Sequence, residues 1–267
     1  MRLIVLGSGT SHGVPMIGCR CAVCTSSDPR NRRMRTSAAV RLGDETLLID
    51  VTPELRLQAL RFGIDRLCAV ALTHSHADHV MGFDELRRFA EIAGRPLPVY
   101  ASRATLAHIY RIYEYALTEP TPHSRWGIPV VEWNALEGPV EILGHRLTPV
   151  SVHHGTHLAT AMRIDAPDGA SVAWCPDCCG MSEESEEKLR GLDALFIDGL
   201  RHATHPTHFT VAQTVEMIKR LSPRRAWLIH MTHDLDHAET EAALTQGPEA
   251  PGGIRLAYDG LTVDLTR

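Results

Sequence analysis

Thr73-His74-Ser75-His76-Ala77-Asp78-His79 follows directly on the apolar run Leu67-Cys68-Ala69-Val70-Ala71-Leu72. It gathers three imidazoles and a carboxylate within His74–His79. An apolar strand that ends in His and Asp finishes a core badly. It holds divalent cations well, because neutral imidazole nitrogen and carboxylate oxygen are ligands that Zn²⁺ accepts. In extended chain His74 and His76 point to one side. With a helix beginning near Asp78, Asp78 and His79 turn in from another direction, so one short segment can serve two adjacent metal ions.

Outward from that stretch, four later segments supply further ligand candidates. Ser151-Val152-His153-His154-Gly155 places a His pair at the end of a predicted strand, and Ala173-Trp174-Cys175-Pro176-Asp177 ends another with a carboxylate. His205-Pro206-Thr207-His208-Phe209 lies just before a predicted helix, and Leu228-Ile229-His230-Met231-Thr232-His233-Asp234 follows a further apolar strand. Strand ends are where α/β proteins gather their sites, because the sheet fixes the residues while the loops stay open.

Ser37–Leu42, the turn Gly43-Asp44-Glu45 and Thr46–Asp50 read as a hairpin. Further strands are expected at Leu147–Val152, Ala159–Ile164, Val172–Trp174, Ala194–Ile197, Ala226–Ile229 and Leu261–Leu265. Helices are expected at Glu54–Arg61, Phe83–Ile92, Ala104–Tyr115, Glu183–Leu189, Val211–Leu221 and His237–Leu244, with Thr210 capping the fifth and Pro223 marking its end. Runs of strands, each closed by helices and arranged in two halves, predict an α/β protein. The expected architecture is two sheets face to face with helices outside, a four-layer αββα sandwich. No low-complexity linker divides the chain, so residues 1–267 are read as one domain. The stretch 101–131, with Tyr110, Tyr113, Tyr115 and Trp126, reads as a lid or substrate-facing insert, or as a surface helix hairpin.

Composition narrows the function classes. The chain has 267 residues, 44% hydrophobic and 22% charged, an ordinary globular balance. A formal net charge of −5 gives no generic nucleic-acid footprint. The local basic run Arg30-Asn31-Arg32-Arg33-Met34-Arg35 is a solvated loop or a phosphate-binding element. Met1–Gly7 lacks the apolar core and small-residue cleavage site of a signal peptide. No apolar stretch approaches the roughly 18 residues needed to span a membrane. The chain therefore reads as cytoplasmic, and its seven cysteines as metal ligands or free thiols rather than disulfides. Cys19-x-Cys21-x₂-Cys24 supplies three thiolates, one short of a tetrahedral zinc site. Cys68 reads as core. The C-x-x-C in Cys175-Pro176-Asp177-Cys178-Cys179 has no thioredoxin-like context, and Cys178 or Cys179 beside the metals would make the site sensitive to oxidation.

The complete H-x-H-x-D-H pattern at His74, His76, Asp78 and His79, with His154, Asp177 and His230 in order behind it, resembles the metallo-β-lactamase superfamily. The resemblance implies that His74, His76 and His154 hold one metal, that Asp78, His79 and His230 hold the other, and that Asp177 bridges both. His153 competes with His154; strand alternation and the following Gly favour His154. Asp50 matches the family's buried acid behind the ligands, which fixes an imidazole tautomer. Thr10–Pro15, the cysteine motif, His205–Phe209 and His230–His237 further resemble phosphoribosyl 1,2-cyclic phosphate phosphodiesterases of the carbon–phosphorus lyase pathway and their relatives. By that resemblance Cys19, Cys21, Cys24 and His233 hold one structural zinc, with His237 and His12 the other candidates for its fourth ligand.

The expected activity is metal-dependent hydrolysis of a small phosphodiester, with a cyclic ribose phosphate as the best specific substrate. A metal-bridging hydroxide would attack, and His208 would assist the leaving group; His208 and Asp78 are the catalytic candidates. The expected cofactors are two divalent ions, Zn²⁺ or Mn²⁺, beside the structural zinc. The resemblance suggests a homodimer, and no membrane or nucleic-acid partner is expected. RNA 3′-end processing and a non-catalytic carrier, like the pyrroloquinoline quinone biosynthesis relatives that share the cysteine motif, are the alternatives.

Overall fold

Short β-branched and aliphatic runs, each closed by a turn or a helix within a few residues, assemble among the described residues into two sheets of seven strands. A computed structural model describes residues 1–116, 127–246 and 253–266 of the chain. The first sheet contains β1 (Arg2–Gly7), β2 (Ser37–Leu42), β3 (Glu45–Ile49), β4 (Ala69–Ala71), β5 (Leu97–Ala101) and β6 (Val131–Ala135). The second contains β7 (Val140–Ile142), β8 (His145–His154), β9 (His157–Asp165), β10 (Ser171–Cys175), β11 (Ala194–Asp198), β12 (Ala226–Ile229) and β13 (Ile254–Leu256). The last strand, β14 (Thr262–Asp264), returns to pair antiparallel with β1 at the edge of the first sheet.

Each sheet is antiparallel in one half and parallel in the other. β1–β2–β3 and β7–β8–β9–β10 pair antiparallel, whereas β3–β4–β5–β6 and β10–β11–β12–β13 pair parallel. A parallel step needs a crossover, and each one here carries a helix. These are α1 (Leu55–Phe62), α2 (Ala77–Val80) followed by α3 (Leu86–Ala93), α4 (Arg103–Ile112), α5 (Glu183–Lys188), α6 (Val211–Leu221) and α7 (His237–Gln246).

Three apolar layers separate the four structural ones. Between the sheets, Leu3, Val40 and Leu47 of the first meet Leu147, Trp174 and Phe196 of the second. Outside the first sheet, Leu55, Phe89 and Ile109 of the crossover helices cover Leu48, Val70 and Val99. Outside the second, Met217, Ile218 and Leu221 of α6 cover Leu195 and Leu228. Each fully buried aliphatic or aromatic side chain contributes about 1.5–3 kcal/mol relative to exposure. Cys68 lies in the inner layer, where burial pushes its thiol up to about 11.

Helix α6 shows local sequence fixing an element's ends. Thr210 accepts from Gln213 N–H while Gln213 Oε1 accepts from Thr210 N–H at 2.9 Å, a reciprocal cap that satisfies two otherwise orphaned donors. Ser222 closes the helix in the left-handed conformation, just before Pro223.

Strands β5, β6, β7 and β13 lie beyond those expected from periodicity. Of the stretch 101–131, the described flanks are α4, which packs on the first sheet through Leu106 and Ile109, and the start of edge strand β6. Residues 117–126, Trp126 among them, lie outside the described residues. Among the described residues no helix is long and apolar enough to cross a membrane.

The strand directions place the chemistry. β8 is antiparallel to β9 and β9 to β10, so β8 runs the same way as β10, β11 and β12. Their C-terminal ends share one edge of the second sheet, where His154, Asp177, Asp198 and His230 emerge. His74–His79 leaves the C-terminal end of β4 in the facing sheet and meets them.

Candidate metal centre

The ligand candidates leave their strands abruptly. Asp50, Asp177 and His230 all have positive φ, at 62°, 47° and 59°, a conformation uncommon outside glycine. Each follows the last residue of an apolar strand or comes within two of it, and the left-handed turn swings the polar side chain across the sheet edge. Such strain persists only where surrounding contacts over-determine it, and it clusters at functional sites.

Two groups of four side chains result, with their ligand atoms within 4.8 Å of one another. One is His74, His76, His154 and Asp177; the other is Asp78, His79, Asp177 and His230. Asp177 belongs to both. Its Oδ2 lies 3.6 Å from His74 Nε2 and 3.7 Å from His154 Nε2, and its Oδ1 lies 3.0 Å from His79 Nε2 and 3.3 Å from His230 Nε2. His153 falls on the other face of β8, exposed, with its N–H donating to Gly180 O.

The outer shell fixes the rings. His79 Nδ1 donates to Asp50 Oδ2 at 2.7 Å, which turns Nε2 towards Asp78 and Asp177. Asp50 is itself held by Thr73 N–H and Oγ1, both at 2.8 Å, so one buried carboxylate ties the end of β3 to the end of β4, where the ligands begin. Helix α2 docks there too: Gly82 N–H donates to Val51 O, and a Cβ at Gly82 would stand 1.9 Å from Thr52 O. Only glycine permits that approach. His154 Nδ1 donates to Thr207 O at 2.9 Å and Nε2 turns into the cluster.

Electrostatics divide the imidazoles. Burial, with His79 alongside, holds His74 well below the usual imidazole value, and burial also lowers His76 and His154. For His79 and His230 burial acts the same way, but the carboxylates around them, Asp177 foremost, outweigh it and raise both. Burial disfavours the charged form of Asp177 and Asp78, yet the facing histidines keep both carboxyls below their usual range.

The donor set fits divalent cations. His74 Nε2, His79 Nε2 and Asp177 Oδ1 are buried and make no hydrogen bond, although His79 and Asp177 are 3.0 Å apart, because the atoms are not aligned for one. Buried polar atoms without partners are rare and costly. Here they converge on common points from several elements, as ligands of a cation do.

His208 stands beside both groups. Its Nδ1 donates to Asp198 Oδ2 at 2.6 Å, leaving Nε2 directed inward, 3.9 Å from Asp177 Oδ2. Its ring stacks on His230 at 4.8 Å and meets His154 edge-on at 4.8 Å. Asp198 was not among the residues singled out from sequence. Its signal was present: Ala194-Leu195-Phe196-Ile197-Asp198 is another apolar strand ending in a carboxylate. Asp198 Oδ2 also accepts from Cys178 N–H at 2.8 Å, which joins the His208 loop to the loop of Asp177. The centre opens into a cavity of about 350 Å³ whose rim adds Ser11, Thr156, His157 and Thr207.

A separate cluster forms from Cys19, Cys21, Cys24 and His233. His233 Nδ1 lies 3.4 Å from Cys19 Sγ and 3.3 Å from Cys21 Sγ. The Cys24 N–H donating to Cys21, together with His233, brings the Cys21 thiol down to about 6, favouring the thiolate that metals bind. His237 stays out of this cluster, and burial lowers it to about 4. Beneath the loop, Arg33 Nη1 donates to Thr232 O and Nη2 to Leu235 O, clamping the turn that carries both His230 and His233. Cys175 and Cys178 are fully buried behind Asp177, and Cys179 accepts from Gly155 N–H.

Residues 45–231 match the model of the beta-lactamase superfamily domain. The chain is similar over 98% of its length to an octanoyltransferase of Porphyromonas gingivalis, at 36% identity, but spans only 51% of that relative. It is 27% identical to coenzyme PQQ synthesis protein B of Methylorubrum populi, over 99% of this chain and all of that one. Among solved structures it is similar to a diphosphatase from the PhnP family, with a TM-score of 0.87 and 39% identity over 98% of this chain and 97% of that one. Zn²⁺-bound PqqB from Methylobacterium extorquens shares the fold, with a TM-score of 0.79 and 22% identity over 99% and 100% of the two chains.

Proposed function

Because the chain belongs to the beta-lactamase superfamily, whose fold and metal-ligating clusters it carries, we propose that it hydrolyses small phosphodiesters with two divalent cations, a cyclic ribose phosphate being the best candidate substrate. The observation that carries this reading is the shared carboxylate of Asp177 between two His-rich groups, with His208 held beside them by Asp198. In this reading His74, His76, His154 and Asp177 hold one cation, and Asp78, His79, His230 and Asp177 the other.

Bound there, two divalent cations make water acidic enough to react at neutral pH and neutralise phosphate oxygens. The chain's own residues do the rest. Asp50 keeps His79 in the tautomer whose Nε2 faces inward. His208, with Nδ1 committed to Asp198, presents Nε2 to the substrate and donates its proton to the departing alkoxide. The cavity of about 350 Å³ suits a small substrate and is at the low end for ligand sites. Similarity to a diphosphatase favours a second reading, cleavage of a P–O–P linkage, in which the same residues act on a diphosphate.

Metal-loaded protein tested on bis(p-nitrophenyl) phosphate, a ribose 1,2-cyclic phosphate, a nucleoside diphosphate, a tRNA precursor and a β-lactam decides between them. Turnover of the two diesters and not of the diphosphate is expected. Turnover of none of the five returns the chain to the carrier reading.

The thiolate cluster has its own test. In this reading Cys21→Ser removes one zinc per chain while the His and Asp centre still loads, and the melting temperature falls, because structural zinc contributes directly to folding free energy. Unchanged zinc content and melting temperature in that variant would sink the assignment.

A further inference from the structure

Helix α2, which carries Asp78 and His79, is a single turn of four residues, and its N-cap, His76, makes no side-chain capping bond. One turn fixes several dihedrals for very few hydrogen bonds, so it is marginal unless its surroundings hold it. From the side of β3, Val51 N–H donates to His79 O and Gly82 N–H to Val51 O, both at 2.8 Å. The last carbonyls of a helix have no partner within it, and Val80 O is one of them.

The donor for Val80 comes from α4. Tyr113, the residue that closes α4, donates its hydroxyl to Val80 O at 2.8 Å. Its buried ring packs on Phe83 at 4.8 Å, and Phe83 in turn stacks on Trp133 of β6 at 5.3 Å. Two residues on, Tyr115 donates to Asp84 Oδ1 at 2.6 Å. The same helix also holds the front of the ligand segment, where Ser75 Oγ and His108 Nδ1 share a hydrogen bond of 2.7 Å. α4 is fixed in its turn by Ser102, whose Oγ accepts from Thr105 N–H at 3.2 Å, and by the fully buried Ile109. Ser75 and Val80 therefore bracket His76, Asp78 and His79 with bonds to one element. Tyr113 and Tyr115 belong to the aromatic stretch 101–131, to which the reaction as described gives no part.

The two ligand groups depend on this clamp unequally. His74 and His154 leave strand ends that sheet pairing holds: Leu72 N–H donates to Tyr100 O, Thr160 N–H donates to Thr73 O, and His154 pairs with His157 across β8 and β9. Asp78 and His79 are carried by the backbone of α2.

We propose that Tyr113 is a positioning residue for the second cation. Its hydroxyl, acting through Val80 O, holds α2 in the turn that aims Asp78 and His79 at the site they share with His230. The inference rests on the two-cation reading above.

Tyr113→Phe keeps the ring and removes the donor. Mn²⁺, which thiolate sites take poorly, is titrated into protein whose His and Asp centre is metal-free, with free Mn²⁺ followed by electron paramagnetic resonance. Wild type should take two ions. The variant should take the first as wild type does and the second roughly 3–10-fold more weakly, the effect of leaving one buried carbonyl unpaired in a turn near balance. Ile109→Val trims a buried methyl group of α4 and lowers stability without touching Val80, so it should bind both ions as wild type does. Equal weakening of both ions in Tyr113→Phe, no weakening at all, or the same pattern in Ile109→Val overturns the assignment.

Hydrogen exchange on the metal-free protein separates this role from the metal reading. The amides of Met81 and Gly82 should exchange roughly 3–10-fold faster in Tyr113→Phe, while those of α3 keep wild-type rates. If wild type takes fewer than two Mn²⁺ ions but exchange still rises at these two amides, the clamp stands and the two-cation reading falls. If exchange there is unchanged, the clamp falls whatever the metal result.

Discussion

Asp177→Ala is expected to empty the metal centre and to lower phosphodiester turnover by more than the roughly 10²–10³-fold lost when a single neutral preorganised donor is removed. Asp177 is the one side chain common to both ligand groups, and each of its oxygens faces a different pair of imidazoles. Its removal leaves four histidines without the carboxylate they share, Asp78 remaining beside His79 and His230 only, and two cations brought close would then repel with no bridging anion between them. The cluster of Cys19, Cys21, Cys24 and His233 shares no residue with these groups, so metal analysis should still find the zinc proposed for it. Asp177→Asn refines the result. The amide keeps volume and one carbonyl oxygen but has no charge to share, so partial occupancy and an intermediate rate are expected. Full metal content and rate in the alanine variant would show that Asp177 does not bridge.

The second large effect concerns His208. His208→Ala should cut kcat on a diester with an alkyl leaving group by roughly 10²–10⁴-fold, the usual contribution of a positioned acid. The loss should be much smaller with p-nitrophenolate, which departs well without a proton. Metal content should not change, because His208 spends Nδ1 on Asp198 at 2.6 Å and its Nε2 stands 3.9 Å from Asp177. Equal losses for both leaving groups would restrict His208 to binding phosphate. Loss of metal would make it a ligand, a role also open to it geometrically, since Asp198, His208 and His230 form a third close group.

What could be read in advance follows from how local each signal is. His74 to His79 is legible because ligand types and strand alternation lie within one segment. Helix α6 is legible to the residue because Thr210, Gln213 and Pro223 encode both ends nearby. Strand β5 is not, because Pro98 interrupts it and proline argues against an interior strand. Strand β6, Val131-Glu132-Trp133-Asn134-Ala135, carries too little buried apolar character to declare itself. β7 and β13 have three residues each, too few to show a period.

Residues that act through long-range closure are the least legible. Nothing around Arg33 announces that it will clamp carbonyls at Thr232 and Leu235. The fully buried Asp198 illustrates a different failure, since its strand-end pattern was visible but its partner His208 lies ten positions away on a loop.

The cysteine–histidine cluster also has a history in time. Cys21 and His233 are 212 positions apart. At synthesis rates of about 5–20 residues per second, the three thiols wait roughly 10–40 s on the ribosome before their imidazole partner exists. Through that interval the nascent chain offers peroxide or a stray disulfide an unprotected trio of sulfurs. With the zinc proposed for this cluster, the yield of correctly assembled protein would depend on the thiol redox poise and free zinc of the cell making it, before any substrate is met.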